Sequence, residues 1–149
     1  MTDIALHPGF DGRIDIKLHD GDLVADDGLR TAVVLSLLTD RRANPGDVLP
    51  DGSDDRRGWW ADMLARAGGD RFGSRLWLLS REKNLAEVRR RAETYAAESL
   101  EWLREDGIAN TIEVEAETVA TDRLGLKIRI IRTDGQAIEE RFNNLWESL

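Results

Sequence analysis

Cysteine is absent from the 149-residue chain, and histidine is limited to His7 and His19. The first absence excludes disulfides, thiolate zinc sites and thiol catalysis. The second leaves no imidazole cluster for a metal, since both histidines fall at turn or strand-edge positions. Long hydrophobic runs are missing too: no stretch reaches the ~18–20 apolar residues of a membrane span. Met1-Thr2-Asp3-Ile4 lacks the basic-then-apolar order of a secretory signal. A soluble, cytosolically made protein without metal, cofactor or membrane is expected. Positive charge is also short, with 21 Lys and Arg against 29 Asp and Glu and a net charge of -8. A pI near 4.8 disfavours a general nucleic-acid binder, because like charge repels the phosphate backbone. Tyrosine occurs once and phenylalanine three times, against five tryptophans, so the aromatic surface rests on indole.

What is present suits one domain, 1–149, because a chain of this length buries about 68–70% of its unfolded surface without staples. Ile14, Ile16 and Leu18 alternate with Asp15 and Lys17, and Asp20-Gly21 turns into Asp22-Leu23-Val24, which predicts a short hairpin. Leu29 to Leu38 is densely apolar and predicts a buried helix, with Asp27 as N-cap. Two of the three prolines and several Asp-rich turns then mark residues 43–58 as a long surface loop. Trp59-Trp60 opens a stretch long enough for two helical turns. The three- and four-residue spacing of Leu85, Val88, Ala92, Tyr95, Ser99 and Trp102 or Leu103 predicts a main helix over about 82–106. Ser80 is placed to cap it and Gly107 to end it.

The last third alternates. Ile112, Val114 and Ala116 interleave with Glu113, Glu115 and Glu117, while Leu124, Leu126, Ile128 and Ile130 interleave with Lys127 and Arg129. An antiparallel hairpin with both apolar sets on one face requires like-parity partners and favours an odd loop such as 121–123. That register sets Glu115 opposite Arg129 and Glu117 opposite Lys127. Thr133-Asp134-Gly135 turns into a third strand through Ile138 to Phe142, and residues 143–149 could add a helical turn. The expected fold is α+β: an antiparallel sheet of three to five strands packed against two main helices.

No residue pattern singles out a catalytic centre. The Glu113, Glu115, Glu117 series reads as a solvated strand face. No nucleophile elbow or phosphate-binding glycine loop occurs, and His19 beside Asp20 has no nucleophile to serve. Arg89-Arg90-Arg91 points in three directions on a helix and is read as forming local salt links with nearby glutamates. The segment from Arg56 to Trp77 is different. Adjacent tryptophans diverge by about 100° on a helix or 180° on a strand, so Trp59 and Trp60 cannot share one core. Either one covers the core and the other meets a partner, or both seal the loop as a satellite cluster.

Three runs in order, Leu37-Leu38-Thr39-Asp40-Arg41-Arg42-Ala43, Asp55-Arg56-Arg57-Gly58-Trp59-Trp60-Ala61-Asp62 and Gly73-Ser74-Arg75-Leu76-Trp77-Leu78-Leu79, resemble the tail baseplate protein family of Mu-like phages and prophages. The resemblance continues through Tyr95 and Glu101-Trp102-Leu103 into the strands. It implies kinship with the short, lysozyme-like baseplate wedge protein of T-even phages and a structural role in a contractile tail. It further implies contact with other baseplate and tail proteins, and with sheath by sheet extension. Thr39-Asp40-Arg41-Arg42 stands where the wedge protein grips its neighbours after a helix. The resemblance places the protein in the host cytoplasm during assembly and then in the virion baseplate, the isolated chain being a monomer or weak dimer. The expected interface residues are Asp40, Arg41, Arg57, Trp59, Trp60, Asp62, Arg75 and Trp77. Two rival readings are a peptidoglycan-cleaving enzyme, which needs two carboxylates facing each other across a cleft, and a regulatory binding module on the same fold.

Overall fold

A computed structural model describes residues 28–50, 52–64, 71–82, 86–121 and 123–143, together with short N-terminal strands. Those strands are β1 (Asp3–Ile4), β2 (Leu6–Pro8), β3 (Ile14–Ile16), β4 (Leu18–His19), β5 (Asp22–Leu23) and β6 (Ala25–Asp26). They pair antiparallel as β1 with β6, β2 with β3 and β4 with β5. The hairpin expected around Asp20-Gly21 is thus the β4–β5 pair, whereas Ile14 to Ile16 pairs with the preceding β2.

Helix α1 (Leu29–Leu38) buries Leu29, Thr31, Val33, Val34, Ser36 and Leu37, most of its circumference, as its composition predicts. Gly28 rather than Asp27 is its N-cap, with φ of 81° and no side-chain cap; Asp27 lies outside the described residues. The Thr31 hydroxyl donates to the Ile4 carbonyl at 3.0 Å and ties the N-terminal strands to α1. Beyond a long irregular stretch come two 3-10 helices, Trp60–Leu64 and Leu76–Leu79. The second is buried at every position. Ser80 closes it, its N–H reaching the Trp77 carbonyl at 3.2 Å, and so does not cap the long helix.

That helix, α2 (Ala86–Leu100), is followed by the short α3 (Trp102–Glu105). The expected continuous helix is broken at Glu101, two residues after Ser99, whose hydroxyl donates to the Ala96 carbonyl at 2.7 Å. Such back-bonding competes with the helical ladder, and the next bonds are of the tighter three-residue type, Glu101 to Glu98 and Arg104 to Glu101. Leu85 lies outside the described residues, whereas Glu82, the expected start, is a bend whose N–H reaches the Leu79 carbonyl at 3.0 Å and not part of the helix. Gly107 ends the run as expected, with φ of 70°, while Ile108 N–H reaches back to the Leu103 carbonyl at 2.8 Å. Trp102 donates its indole N–H to the Ser36 hydroxyl at 3.1 Å, joining α3 to α1. Among the described residues no helix is long and apolar enough to cross a membrane.

Strands β7 (Ala109–Ala120), β8 (Arg123–Arg132) and β9 (Ala137–Phe142) form a three-stranded antiparallel sheet with β8 central. The like-parity pairing holds, but its register differs by two from the expected one. Glu113 faces Arg129, and Glu115 faces Lys127. Alternation sets parity alone; the offset is set where the pairing shifts between Thr118 and Ala120, a bulge that lets Ala120 pair with Arg123 across two residues. The polar face is a charge ladder all the same. Arg129 lies 3.6 Å from Glu113, Lys127 lies 3.9 Å from Glu139, and Arg141 lies 3.9 Å from Glu117. Each exposed pair of this kind contributes about 0.2–1 kcal/mol.

On the other face Leu124, Leu126, Ile128 and Ile130 are almost wholly buried, each worth about 1.5–3 kcal/mol in removed apolar surface. They meet Val88, Ala92, Ala96 and Leu100 of α2, Val33, Val34 and Leu37 of α1, and the Leu76–Leu79 turn in one core. The architecture is α+β, with a three-stranded antiparallel sheet, as expected. Residues 144–149, including the proposed last helical turn, lie outside the described residues.

Candidate functional site

The site begins where α1 ends. Thr39 turns to extended backbone, and Asp40 forms an isolated parallel bridge with Ser74. Ser74 N–H reaches the Thr39 carbonyl and Arg41 N–H reaches the Ser74 carbonyl, each at 2.9 Å. The buried Ser74 hydroxyl donates to the Leu37 carbonyl, satisfying an orphan of the helix end. Gly73 makes this approach possible: its φ is 99°, and a Cβ there would collide with the Thr39 carbonyl and the Arg41 amide. A second closure lies inside the first, where Ala43 N–H meets the Arg56 carbonyl at 2.9 Å. Arg56 reinforces it by donating to the Asn44 carbonyl at 2.6 Å.

Two arginine-centred assemblies grow from this double closure. In the first, Arg57 Nη1 lies 2.9 Å from Asp40 Oδ2, and its guanidinium stacks 4.5 Å from the Trp77 ring centroid. Arg57 adopts φ of 51°, a left-handed conformation unusual for a residue with a side chain. Asp55 Oδ1 accepts its N–H at 2.8 Å, and Arg42 Nη1 donates to its carbonyl at 3.2 Å. Trp77 is about 1% exposed and donates its indole N–H to the Arg41 carbonyl at 2.8 Å.

In the second, Arg75 reaches both carboxylate oxygens of Asp47, at 2.9 and 3.0 Å, and Glu98 Oε2 at 3.0 Å. It also covers the Tyr95 ring at 4.4 Å. Burial pulls the Arg75 guanidinium down, but hydrogen bonds and charge from Asp47 and Glu98 outweigh it and leave the group raised above its ordinary value. The loop, the 3-10 turn and α2 are thereby fastened to one cation. Arg91 pairs at 2.7 Å with Glu82, nine residues back, and not with Glu87, Glu93 or Glu98, the nearby glutamates of the local salt-link reading of the arginine run. Arg89 instead meets the Thr118 hydroxyl at 2.6 Å.

Outside these assemblies the first 3-10 helix carries an aromatic surface. Trp59 is 42% exposed, Trp60 68%, Leu64 72% and Met63 85%. Trp59 is braced between Trp60 and Phe72, with centroids 6.0 and 5.4 Å away. Asp62 Oδ1 accepts the Phe72 N–H at 3.1 Å and fixes the far end of the turn. A cleft of about 390 Å³ opens here, lined by Arg42, Arg57, Trp59, Trp60, Met63 and Arg71 among others.

The structure brings Asp40, Arg41, Arg57 and Trp77 together as one assembly, puts Arg75 in the neighbouring one, and sets Trp59, Trp60 and Asp62 along the cleft. Trp77 requires correction as an interface residue. Its side chain is core, and it acts by holding Arg57 and the Arg41 carbonyl. Of the two alternatives for the tryptophan pair, the one that sends a ring to the core is not met; Trp59 instead clusters with Trp60 and Phe72 outside it. Asp47, Tyr95 and Glu98 were not foreseen: they reach Arg75 from 28, 20 and 23 residues away in the chain, and no local pattern links them. Arg42, Met63 and Arg71 were also missed, although the spacing of Trp60 and Met63 in a short helical stretch was a signal for a shared apolar surface.

A family model described as phage protein GP46 matches residues 29–137, a span that contains both arginine assemblies and the cleft. The chain is 48% identical over 143 residues to the baseplate protein gp46 of Escherichia phage Mu, covering 95% of each chain. It is 35% identical over 146 residues to the Mu-like prophage FluMu protein gp46 of Haemophilus influenzae, covering 98% of each chain.

Proposed function

The chain belongs to the phage protein GP46 family, and from that membership we propose that it is a structural component of the tail baseplate of a Mu-like phage or prophage. The observation that supports this most is 48% identity with the phage Mu baseplate protein across 95% of both chains. At that coverage the whole folded unit is shared, including the segment that carries the arginine assemblies. Its work is to hold neighbouring subunits, not to turn over a substrate. The surface suits that work: exposed tryptophan and methionine stand beside arginines whose positions are fixed by buried partners, and such side chains dominate binding energy at protein interfaces. In the virion the neighbours are other baseplate and tail proteins of a contractile tail.

The test is co-expression with the products of adjacent tail genes, affinity capture on this chain, and light scattering for stoichiometry. A complex of defined mass is expected. A chain that remains alone in every combination would overturn the reading. A cell-wall turbidity assay with the purified protein should stay flat; clearing abolished by a single Asp or Glu substitution would overturn the structural role in favour of catalysis.

A further inference from the structure

The cleft beside Trp60 has the opposite charge to the chain that carries it. Among the described residues, Arg42, Arg57 and Arg71 line it together with one carboxylate, Asp62, on a protein of net charge -8. Arg57 is neutralised by Asp40. Arg42 donates only to a backbone carbonyl, and among the described residues neither Arg42 nor Arg71 forms an ion pair. Asp62 is turned inward, one oxygen on the Phe72 amide and the other buried. Among the described residues the cleft therefore presents two guanidinium groups without an ion-pair partner around an exposed indole and thioether.

This arrangement is held in place before any partner arrives. The left-handed Arg57, its capping by Asp55 and its stacking on buried Trp77 fix the floor of the cleft. Gly58 follows with φ of 117° and lies against the Cβ position of Arg42. Strained backbone maintained by several independent contacts is a mark of a functional surface, and preorganisation lowers the entropic cost of binding.

We propose that the cleft docks an acidic segment of a partner protein, seating an apolar or aromatic side chain against Trp60 and Met63 with flanking carboxylates on Arg42 and Arg71. Guanidinium groups meet carboxylates in paired, directional hydrogen bonds, and the indole and thioether supply the apolar contact. A nucleic-acid strand could stack on the same rings, but the chain's overall negative charge opposes a polyanion, and Met63 and Leu64 extend the apolar surface beyond what a base needs. The partner's presence in a baseplate rests on the function proposed above; the chemistry of the cleft does not.

Random peptides displayed against the purified full-length chain, followed by fluorescence anisotropy with labelled peptides from the enriched pool, test the proposal. Enriched sequences should place Asp or Glu next to Trp, Phe or Leu. Their affinity should fall about tenfold or more in Trp60→Ala, as for a hot-spot truncation, and should weaken as salt rises. Arg71→Glu should lose the acidic peptide and gain a version with Lys in place of the carboxylates. Thermal melts check folding of each variant, and Met63→Asp replaces Trp60→Ala should the latter not fold. The proposal is overturned by no enrichment, by enriched peptides without carboxylates, by affinities indifferent to these changes, or by tighter binding of a single-stranded oligonucleotide. Baseplate co-expression reads the other question separately: a complex without peptide binding sinks the cleft alone, and peptide binding without a complex sinks the baseplate role alone.

Discussion

Arg57 is held between an anion and a ring, its Nη1 2.9 Å from Asp40 and its Cζ over buried Trp77, 4.5 Å from the ring centroid. Two residues from opposite ends of an irregular segment are thereby locked to the end of α1. A residue of the loop becomes as well placed as one on a helix, and the surface built around it inherits that rigidity.

Arg57→Ala should lower stability by about 1 kcal/mol, the sum expected of a half-exposed ion pair and a cation–ring contact. Arg57→Lys should recover only part of it, because an ammonium keeps the attraction to Asp40 without the stacked plane. Denaturant midpoints check both; equal stability of all three proteins would show that the contact carries no energy.

Trp77→Ala should cost about 3–5 kcal/mol, as for a large buried aromatic. Trp77→Phe keeps most of the packing but removes the donor to the Arg41 carbonyl, at a cost of about 1–3 kcal/mol for the orphaned group. A mild effect of the alanine change in a chemical melt would place Trp77 at the surface after all.

The exposed pair behaves oppositely. Trp59→Ala and Trp60→Ala should each change stability by less than about 1 kcal/mol, Trp59 more than Trp60 because it touches Phe72. Both should reduce recovery of complexes with baseplate neighbours in co-expression. Unfolding by either change would move these rings into the core, and undiminished complexes would remove them from the interface.

Arg75→Met should destabilise the fold by about 3 kcal/mol, since Asp47 and Glu98 are left without their cation. Asp47→Asn should cost less, because Glu98 remains with Arg75. The guanidinium is raised by Asp47 and Glu98, so its contribution is present below its unfolded value and is lost as pH rises through the folded one. A double-mutant cycle between positions 47 and 75 measures the coupling, and a coupling near zero would contradict the ion pair.

Gly73→Ala forces a Cβ into the Thr39 carbonyl from a left-handed backbone. A loss of more than about 1 kcal/mol is expected from the conformation alone, with hydrogen exchange quickening first at the amides of Arg41 and Ser74. Unchanged exchange there would mean that the closure does not depend on glycine.

Much of the fold was legible because it is local. Alternation from Ile112 to Ile130 set which sheet face is buried, and the dense apolar run from Leu29 to Leu38 announced an enclosed helix. The exact pairing of Glu113 with Arg129 was not, because parity leaves the offset to a bulge near Val119, where nothing in composition marks an irregularity. The break at Glu101 follows a serine bonding backwards, which spacing of apolar residues does not register. At the site, the arginines and tryptophans were visible as residue types, but their division into core and surface was not. Trp77 sits in the uniformly apolar Leu76 to Leu79, whose complete burial is the clue that separates it from Trp59 and Trp60. The Asp47–Arg75–Glu98 assembly is a tertiary fact with no sequence spacing of its own.

The double closure at Thr39–Ser74 and Ala43–Arg56 has a consequence for how such a molecule can diversify. A segment that leaves and re-enters the body at one point tolerates changes of length and lettering where its side chains face outward, whereas Ala43, Asp47 and Arg57, which reach the core, Arg75 and Trp77, tie it to the helices behind the junction. Contact preference and fold integrity are thereby carried by different residues of one segment, and the exposed ones, Trp60 and Met63 among them, can be rewritten without renegotiating the architecture.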